Sequence, residues 1–254
     1  MKHILVWITI VSALLLLVPA AAFDREVASL TPGPSHQTHA TSTEALAGIT
    51  LDEDVSDLRR LLGAPEMVLG SMHGSYLVYK SRRWSSWLAL LINADHVESI
   101  IIIPQKDQIP SFRDPFGLTF GDDISSLEQI RPNPVPEPPD MLTYNIGNSR
   151  QFVYGIRGDR IYAIELTSGA TNIPPVLVDF EYNGATPIQA ITLNVSESGM
   201  VVAQRLYAAH LPCGNSYWRW ISNTQMTLSQ VTYSRALLEC QVLRAKKAVY
   251  FRTQ

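Results

Sequence analysis

Histidine, serine, cysteine and carboxylate side chains are the groups in this sequence that could do chemistry. Nucleophilic catalysis needs a serine or cysteine beside a histidine that a carboxylate orients. The 6 histidines permit a dispersed triad based on His73, His96 or His210, but no Gly-x-Ser-x-Gly elbow is present. A secreted hydrolase is therefore an alternative, and our main prediction is a chain without enzymatic activity.

Two further groupings could bind metal or act in acid–base catalysis. His210 and Cys213 are spaced like metal ligands, but no second pair completes a tetrahedral site. Asp122 and Asp123 could be paired carboxylates, although a place in the first turn of a capped helix explains them. No phosphate-binding glycine loop or calcium-loop pattern occurs. We therefore predict no metal and no other cofactor.

Cys213 and Cys240 are the 2 cysteines of the chain. In an exported protein, two cysteines most simply form one disulfide. In the chain-entropy model this disulfide would be worth about 3.5 kcal/mol. A pair of free or metal-bound thiols is the alternative.

The start of the chain has the pattern of a secretory signal peptide, predicted for residues 1–22. A short basic start precedes an apolar run, and small residues follow where a signal peptidase cuts; an uncleaved membrane anchor is the alternative. Loss of Lys2 changes the formal charge from -3 to -4, which argues against nucleic acid as a partner. We expect a periplasmic or secreted protein that does not span a membrane after cleavage, with a flexible tether at residues 23–46.

Residues 48–58, Gly-Ile-Thr-Leu-Asp-Glu-Asp-Val-Ser-Asp-Leu, return without a gap as residues 117–127, Gly-Leu-Thr-Phe-Gly-Asp-Asp-Ile-Ser-Ser-Leu. A match of this length indicates one supersecondary unit used twice, here at residues 47–113 and 114–172. Thr50 with Glu53 has the form of a capping box that begins a helix, and Thr119 with Asp122 matches it. Three strands are predicted after each helix, at residues 76–79, 87–92, 97–103, 141–146, 150–156 and 160–167.

Other stretches refine this prediction. The four isoleucines at residues 100–103 are apolar on both faces, so their strand should be central or covered on both sides. The proline-rich residues 132–139 are expected to be irregular. Residues 173–254 are predicted to form a separate small module, whose strands are expected at residues 176–182, 188–195, 200–207 and 248–252.

Arginine and aromatic side chains, which protein interfaces favour, are concentrated in two places. We predict that a partner protein in the envelope or the extracellular space contacts Tyr76, Tyr79, Arg82, Arg83, Trp84, Trp87, Trp218 and Trp220. The alternative is that these aromatic side chains pack in the core of the protein itself.

The repeated pattern, with Leu62-Gly63-Ala64-Pro65 after the first copy, resembles the helix-then-sheet modules of the outer-membrane assembly lipoprotein BamE (SmpA) and of the β-lactamase inhibitory protein. The resemblance covers about residues 47–168 and implies an exported scaffold or binding module. Arg131-Pro132 departs from the pattern in the second copy, and no lipid-anchor cysteine is present. Residues 191–195, 199–201 and 248–252 are weakly similar to the C-terminal domain of TonB.

The predicted fold class is α+β, with two helix-plus-antiparallel-sheet repeats followed by a small α+β C-terminal module that holds the disulfide. The predicted function is a non-catalytic protein-binding or scaffold module of the bacterial cell envelope. Besides the hydrolase, an envelope structural component with a TonB-like C-terminal module is an alternative.

Overall fold

The computed structural model describes residues 45–81, 86–105, 112–130, 134–136, 141–168, 184–187, 190–191, 193, 198–214, 216–228, 230–240 and 242–252. The predicted signal peptide, nearly all of the tether and the strand predicted at residues 176–182 lie outside these ranges. The elements in chain order are β1 (Ala45–Leu46), β2 (Ile49–Thr50), α1 (Val55–Leu62), β3 (Met67–Ser71), β4 (Gly74–Ser81), β5 (Ser86–Asn93), β6 (His96–Pro104), α2 (Ile124–Ile130), β7 (Val135–Pro136), β8 (Met141–Gly147), β9 (Arg150–Arg157), β10 (Arg160–Thr167) and α3 (Ser198–His210).

Eight of the strands form a single antiparallel sheet in the order β3-β4-β5-β6-β10-β9-β8-β7. The centre of this sheet is the pairing of β6 with β10, in which Ile102 lies opposite Ile164 and Ile100 opposite Leu166. The strand of four isoleucines is thus central and buried, as predicted. Strands β1 and β2 form a separate two-stranded hairpin.

The predicted fold class is wrong, because the strands of the two repeated segments do not form two sheets. Residues 100–103 present apolar side chains to both faces, so this strand requires cover on both sides and a hydrogen-bonded neighbour along each edge. Strand β5 occupies one edge and β10 the other. The strands of both repeated segments therefore lie in one continuous eight-stranded sheet, and both of its faces are packed against other parts of the chain.

The two matched segments nevertheless begin their helices in the same way. Asp54 is the N-cap of α1, and its Oδ1 accepts a hydrogen bond from the Ser56 N–H at 2.7 Å. Before α2, Asp123 Oδ1 accepts from the Ser125 N–H at 2.9 Å. Glu53 accepts instead from the Thr50 N–H at 3.1 Å, in the turn before the helix. The predicted cap at Thr50 was therefore misplaced, because the carboxylate nearer the helix satisfies its free N–H groups.

Hairpin turns of the sheet hold both helix starts in place. The Val55 N–H donates to the Asp95 carbonyl at 3.0 Å, and the Ile124 N–H donates to the Asp159 carbonyl at 2.8 Å. Asp95 and Asp159 have φ angles of 65° and 61°, in the left-handed region that tight two-residue hairpins use. Each helix is thus fixed to the end of one β-hairpin.

The two faces of the sheet are covered by different parts of the chain. Helices α1 and α2 pack on the first face, where Val55, Leu58 and Leu127 join the apolar side chains of the sheet. Residues from the C-terminal region, including Leu206, Val249 and Phe251, cover the second face. Side chains alternate between these faces along each strand, so one sheet serves two cores.

The C-terminal region differs from the prediction. Residues 200–207, predicted as a strand, belong to α3, and residues 248–252 are not in a strand. The φ angles of residues 199–209 in α3 lie between 33° and 70°, and L residues disfavour a left-handed helix by roughly 1–2 kcal/mol each. This segment therefore depends on the packing of its apolar side chains against the sheet. Most of the strand predicted at residues 188–195 lies outside the described ranges.

Cys213 and Cys240 are joined by a disulfide, with their Cα atoms 6.4 Å apart. This separation is within the usual range for a disulfide. Among the described residues, no group of histidine, cysteine, aspartate and glutamate side chains is arranged to hold a metal ion. In the same part of the chain, no helix has the length and apolar character needed to cross a membrane.

The continuous sheet leads to a prediction about unfolding. Ile102 is fully buried at the centre of the sheet, so Ile102→Ala should lower the free energy of unfolding by about 2–5 kcal/mol. Because β6 and β10 belong to one sheet, β4 and β9 should lose amide protection together in a single urea transition. Leu61→Ala, at a half-exposed position of α1, is the control and should change stability by less than about 0.5 kcal/mol. Loss of protection on one side of the β6–β10 pairing alone would contradict the prediction.

Candidate functional site

Strand β3 is an outer strand of the sheet and has β4 as its neighbour. The two strands are joined by a two-residue turn, and Ser71 lies opposite Gly74 on either side of it. In an antiparallel pair, residues that bond to the partner strand alternate with residues whose N–H and C=O point away from it. Counting from Ser71, the backbone groups of Val68 and Gly70 point outward. Among the described residues, no backbone hydrogen bond reaches them from this outer side.

This edge lacks the features that protect most sheet edges. Native proteins protect an edge with charged residues, proline or a very short strand. The opposite edge of this sheet, β7, is two residues long and contains Pro136. Strand β3 is five residues long, Met-Val-Leu-Gly-Ser, without charge or proline, and the Val68 side chain is 60% exposed. An unprotected apolar edge of this kind is suited to pairing with another strand.

A cleft of about 470 Å³ lies beside this edge. Residues 68–70 form one side, and the other side is formed by Arg205, Ala208, Ala209 and residues 217–221. The ring of Tyr217 lies against Gly70, where a Cβ atom would collide with it. Glycine therefore allows the aromatic ring to approach the strand backbone here, and a larger residue would displace the ring.

The cleft is positively charged, although the chain as a whole is acidic. Arg205 and Arg219 line it, and no aspartate or glutamate is among the lining residues. The Arg205 guanidinium lies 5.0 Å from the centre of the Trp220 ring, a cation–π contact that orients the guanidinium. Its Nε is buried and has no hydrogen-bond partner among the described residues. Burial lowers the pKa of the Arg205 guanidinium.

The predicted binding residues are not all in one place. Trp218 and Trp220 line the cleft. Tyr76 is fully buried on the second face, whereas Tyr79 is buried on the first face. Trp87 packs on the second face, with Lys80 Nζ 5.5 Å from its ring centre. Arg82, Arg83 and Trp84 lie outside the described residues.

Sequence reasoning missed β3 and Arg205. Residues 67–69 form a short apolar run after Pro65, and this run could have been predicted as a strand. Its position at the edge could not, because neighbours in a sheet are chosen by long-range pairing. Arg205 was placed in a predicted strand and given no binding role. Arg219 could have been included, because it lies between Trp218 and Trp220, which were both predicted to bind a partner.

Comparisons with known proteins identify no family for this chain. No family model matches it, and no curated protein matches it. Solved structures similar to it include an extracellular protein containing an SCP domain from Bacillus anthracis, with a TM-score of 0.37 and 8% identity. A cysteine-rich secretory protein from Staphylococcus aureus gives a TM-score of 0.30 and 10% identity. Each match covers 49% of this chain and 46% of the other chain, and scores this low support no conclusion about fold or function.

The resemblance to BamE (SmpA), the β-lactamase inhibitory protein and TonB is wrong. No family model matches the chain, so none supports the resemblance. It implied separate helix-and-sheet modules, but the strands that follow both matched segments belong to the same eight-stranded sheet. The TonB-like order required strands at residues 199–201 and 248–252, where the structure has α3 and an irregular segment.

Two pairs of polar side chains are buried on the second face. The Ser99 hydroxyl donates to the Glu165 carboxylate at 2.5 Å, and Tyr76 Oη lies 2.7 Å from His210 Nε2. Burial raises the pKa of Glu165 to about 7, while the Ser99 hydrogen bond opposes the shift. Burial, and then His73, lower the pKa of His210 to about 3.

These pairs do not assemble the hypothesised triad among the described residues. His210 contacts a tyrosine rather than a serine, and His96 Nδ1 lies 3.2 Å from the Asp52 carbonyl oxygen. His73 is in the turn between β3 and β4. The hydrolase alternative remains an untested prediction, and the buried pairs are more informative about stability.

Glu165 predicts a particular pH dependence of stability. In the unfolded chain its carboxyl ionises near pH 4.5, whereas in the folded protein it stays protonated up to about pH 7. The unfolded state therefore loses its proton first, and the free energy of unfolding should fall between pH 4.5 and 7, by up to about 3 kcal/mol. Glu165→Gln cannot ionise, so urea unfolding of this variant should lack the decrease.

Comparison of the wild-type chain with Glu165→Gln separates the contribution of Glu165 to the pH dependence from that of His210. Protonation of His210 in the unfolded state acts in the opposite direction, because it lowers stability as the pH falls below about 6.5. This contribution is present in both proteins and cancels in their difference. The same pH profile in both proteins would show that Glu165 is not buried in its protonated form.

Proposed function

We propose that this chain is an exported, non-catalytic binding protein that takes an extended peptide segment of another protein along β3. The predicted signal peptide supports export to the envelope or the extracellular space. The single observation that carries the proposal is the outer edge of β3, whose outward backbone groups have no backbone partner among the described residues. No charged residue or proline within the strand protects this edge.

Addition of a strand to an open edge is a common mode of peptide recognition. Backbone hydrogen bonds to Val68 and Gly70 would supply affinity without regard to peptide sequence. Pockets beside the edge supply specificity in such sites, because alternate side chains of the added strand enter them. The cleft next to β3 has the aromatic and arginine side chains that interfaces favour, with Tyr217 40% exposed.

The roles of Trp218 and Trp220 change under this proposal. Both were expected to contact a partner as part of a larger aromatic group. Here they form the side of the cleft and contact the peptide only where its side chains enter. Tyr76 and Tyr79 have no direct contact with the partner, because both are buried.

A proline at position 68 tests the edge. Val68→Pro removes one outward N–H, and the hydrogen bonds between β3 and β4 remain because they belong to the neighbouring residues. On an array of random twelve-residue peptides, the labelled wild-type chain should bind a subset of spots. The Val68→Pro chain should give a signal at least about tenfold weaker on those spots. The reason is that one neutral backbone hydrogen bond is lost and the proline ring hinders the close approach of the peptide.

The matched control is Val68→Thr, which keeps the N–H and the β-branched shape. It should bind the same spots as the wild-type chain. Far-UV circular dichroism and the urea midpoint must be the same for all three proteins before binding is compared. Unchanged binding by the folded Val68→Pro chain would exclude this edge, and the absence of any bound peptide would contradict the proposed function.

A further inference from the structure

We infer that the peptide bound at β3 carries a carboxylate, which the guanidinium of Arg205 binds in the cleft. The carboxylate is that of an aspartate or glutamate side chain within the bound segment. This inference rests on the proposed function and specifies the chemistry of its ligand.

The first argument is the unmet hydrogen-bonding capacity of Arg205. A guanidinium has five N–H donors in a fixed planar arrangement that matches the two oxygens of a carboxylate. In the part of the chain that the structure describes, Arg205 Nε is buried without a hydrogen-bond partner, and no ion pair joins this residue to a carboxylate. A partly buried charge without a counter-ion is costly, so an anionic ligand would relieve a cost that the free protein bears.

The second argument is the charge of the surrounding cleft. Arg219 adds a second positive charge, and none of the lining side chains is acidic. The other lining groups are aliphatic, aromatic or glycine, and they exclude water and strengthen the attraction between opposite charges. Peptide binding would remove water from the cleft. A peptide without an acidic group would therefore leave both arginines in a less hydrated site without a counter-ion.

The third argument is the position of the guanidinium. The Arg205 guanidinium carbon lies 5.0 Å from the centre of the Trp220 ring, and this cation–π attraction holds the charge beside the ring at the side of the cleft. A guanidinium can form two parallel hydrogen bonds with a carboxylate. Lysine, with a single flexible ammonium group, would give up the paired hydrogen bonds.

The test uses three defined probes of one sequence. They are acetylated, amidated nine-residue peptides of alternating serine and valine, labelled with rhodamine, with glutamate, glutamine or lysine at the centre. Fluorescence anisotropy with the full chain should show at least tenfold tighter binding of the glutamate peptide than of its glutamine isostere. The lysine peptide should bind weakest, and added salt should reduce the preference for glutamate.

Variants assign the preference to Arg205. Arg205→Met keeps much of the side-chain length and should remove the difference between the glutamate and glutamine peptides, and Arg205→Lys should restore part of it. Arg244→Met is the control, because this exposed arginine of the same region does not line the cleft. If Arg205→Met does not fold, the salt dependence of the wild-type preference still tests charge recognition.

Each result separates this inference from the proposed function. Equal binding of the glutamate and glutamine peptides, with both weakened by Val68→Pro, would overturn the carboxylate inference and support the edge. A glutamate preference that survives in Arg205→Met would show that another group recognises the charge. Failure of all three peptides to bind would contradict the proposed function, and the inference would fall with it.

Discussion

The antiparallel pairing of β6 with β10 is the interaction on which the rest of this structure depends. The isoleucines of β6 are apolar on both faces, so the strand is stable only inside a sheet with cover on each side. The pairing meets that requirement and makes one sheet from strands that are distant in sequence. It also determines which strands are outermost, and therefore leaves β3 and β7 as the two edges.

The two edges have opposite properties. Strand β7 is short and contains proline, which removes a backbone donor and limits pairing with other chains. Strand β3 is longer and lacks both protections, and an open edge of this kind favours unwanted pairing with other chains. Under the proposed function, a bound peptide would cover this edge, and the arginines of the neighbouring cleft would give the pairing a preference in charge.

The second face of the sheet is packed against apolar side chains of the C-terminal region, and it also holds buried polar groups. Because these groups are buried, they are not arranged as an accessible active site. Glu165, Ser99, Tyr76 and His210 are all buried. Each pair satisfies part of its own hydrogen-bonding capacity, and burial determines the protonation states of Glu165 and His210. Their consequence is a dependence of stability on pH, with opposite signs for the acid and the base.

Local sequence predicted local structure well in the first two thirds of the chain. Six strands predicted from alternating or continuous apolar patterns are present within one or two residues at each end, and both helices begin within the matched segments. The number of sheets could not be predicted, because it depends on which strand edges meet. The helix caps were misplaced because several carboxylates precede each helix and any of them could accept its N–H groups.

The C-terminal region and the binding residues were harder to predict. The alternation of apolar and polar side chains in residues 200–207 is too weak to distinguish a strand from a helix. Their conformation depends on packing against the sheet. Aromatic composition alone predicted Tyr76 and Tyr79 as contacts, although both complete a core. The disulfide was accessible to sequence reasoning because the chain has 2 cysteines.

Residue-resolved hydrogen exchange of the full chain tests the central claim, the open edge of β3, most directly. The amides of Val68 and Gly70 point away from β4 and should exchange nearly as fast as loop amides, whereas the Leu69 amide between them should be protected with the rest of the sheet. Protection of all three amides to the same degree would mean that another part of the chain already covers this edge, and would contradict the account.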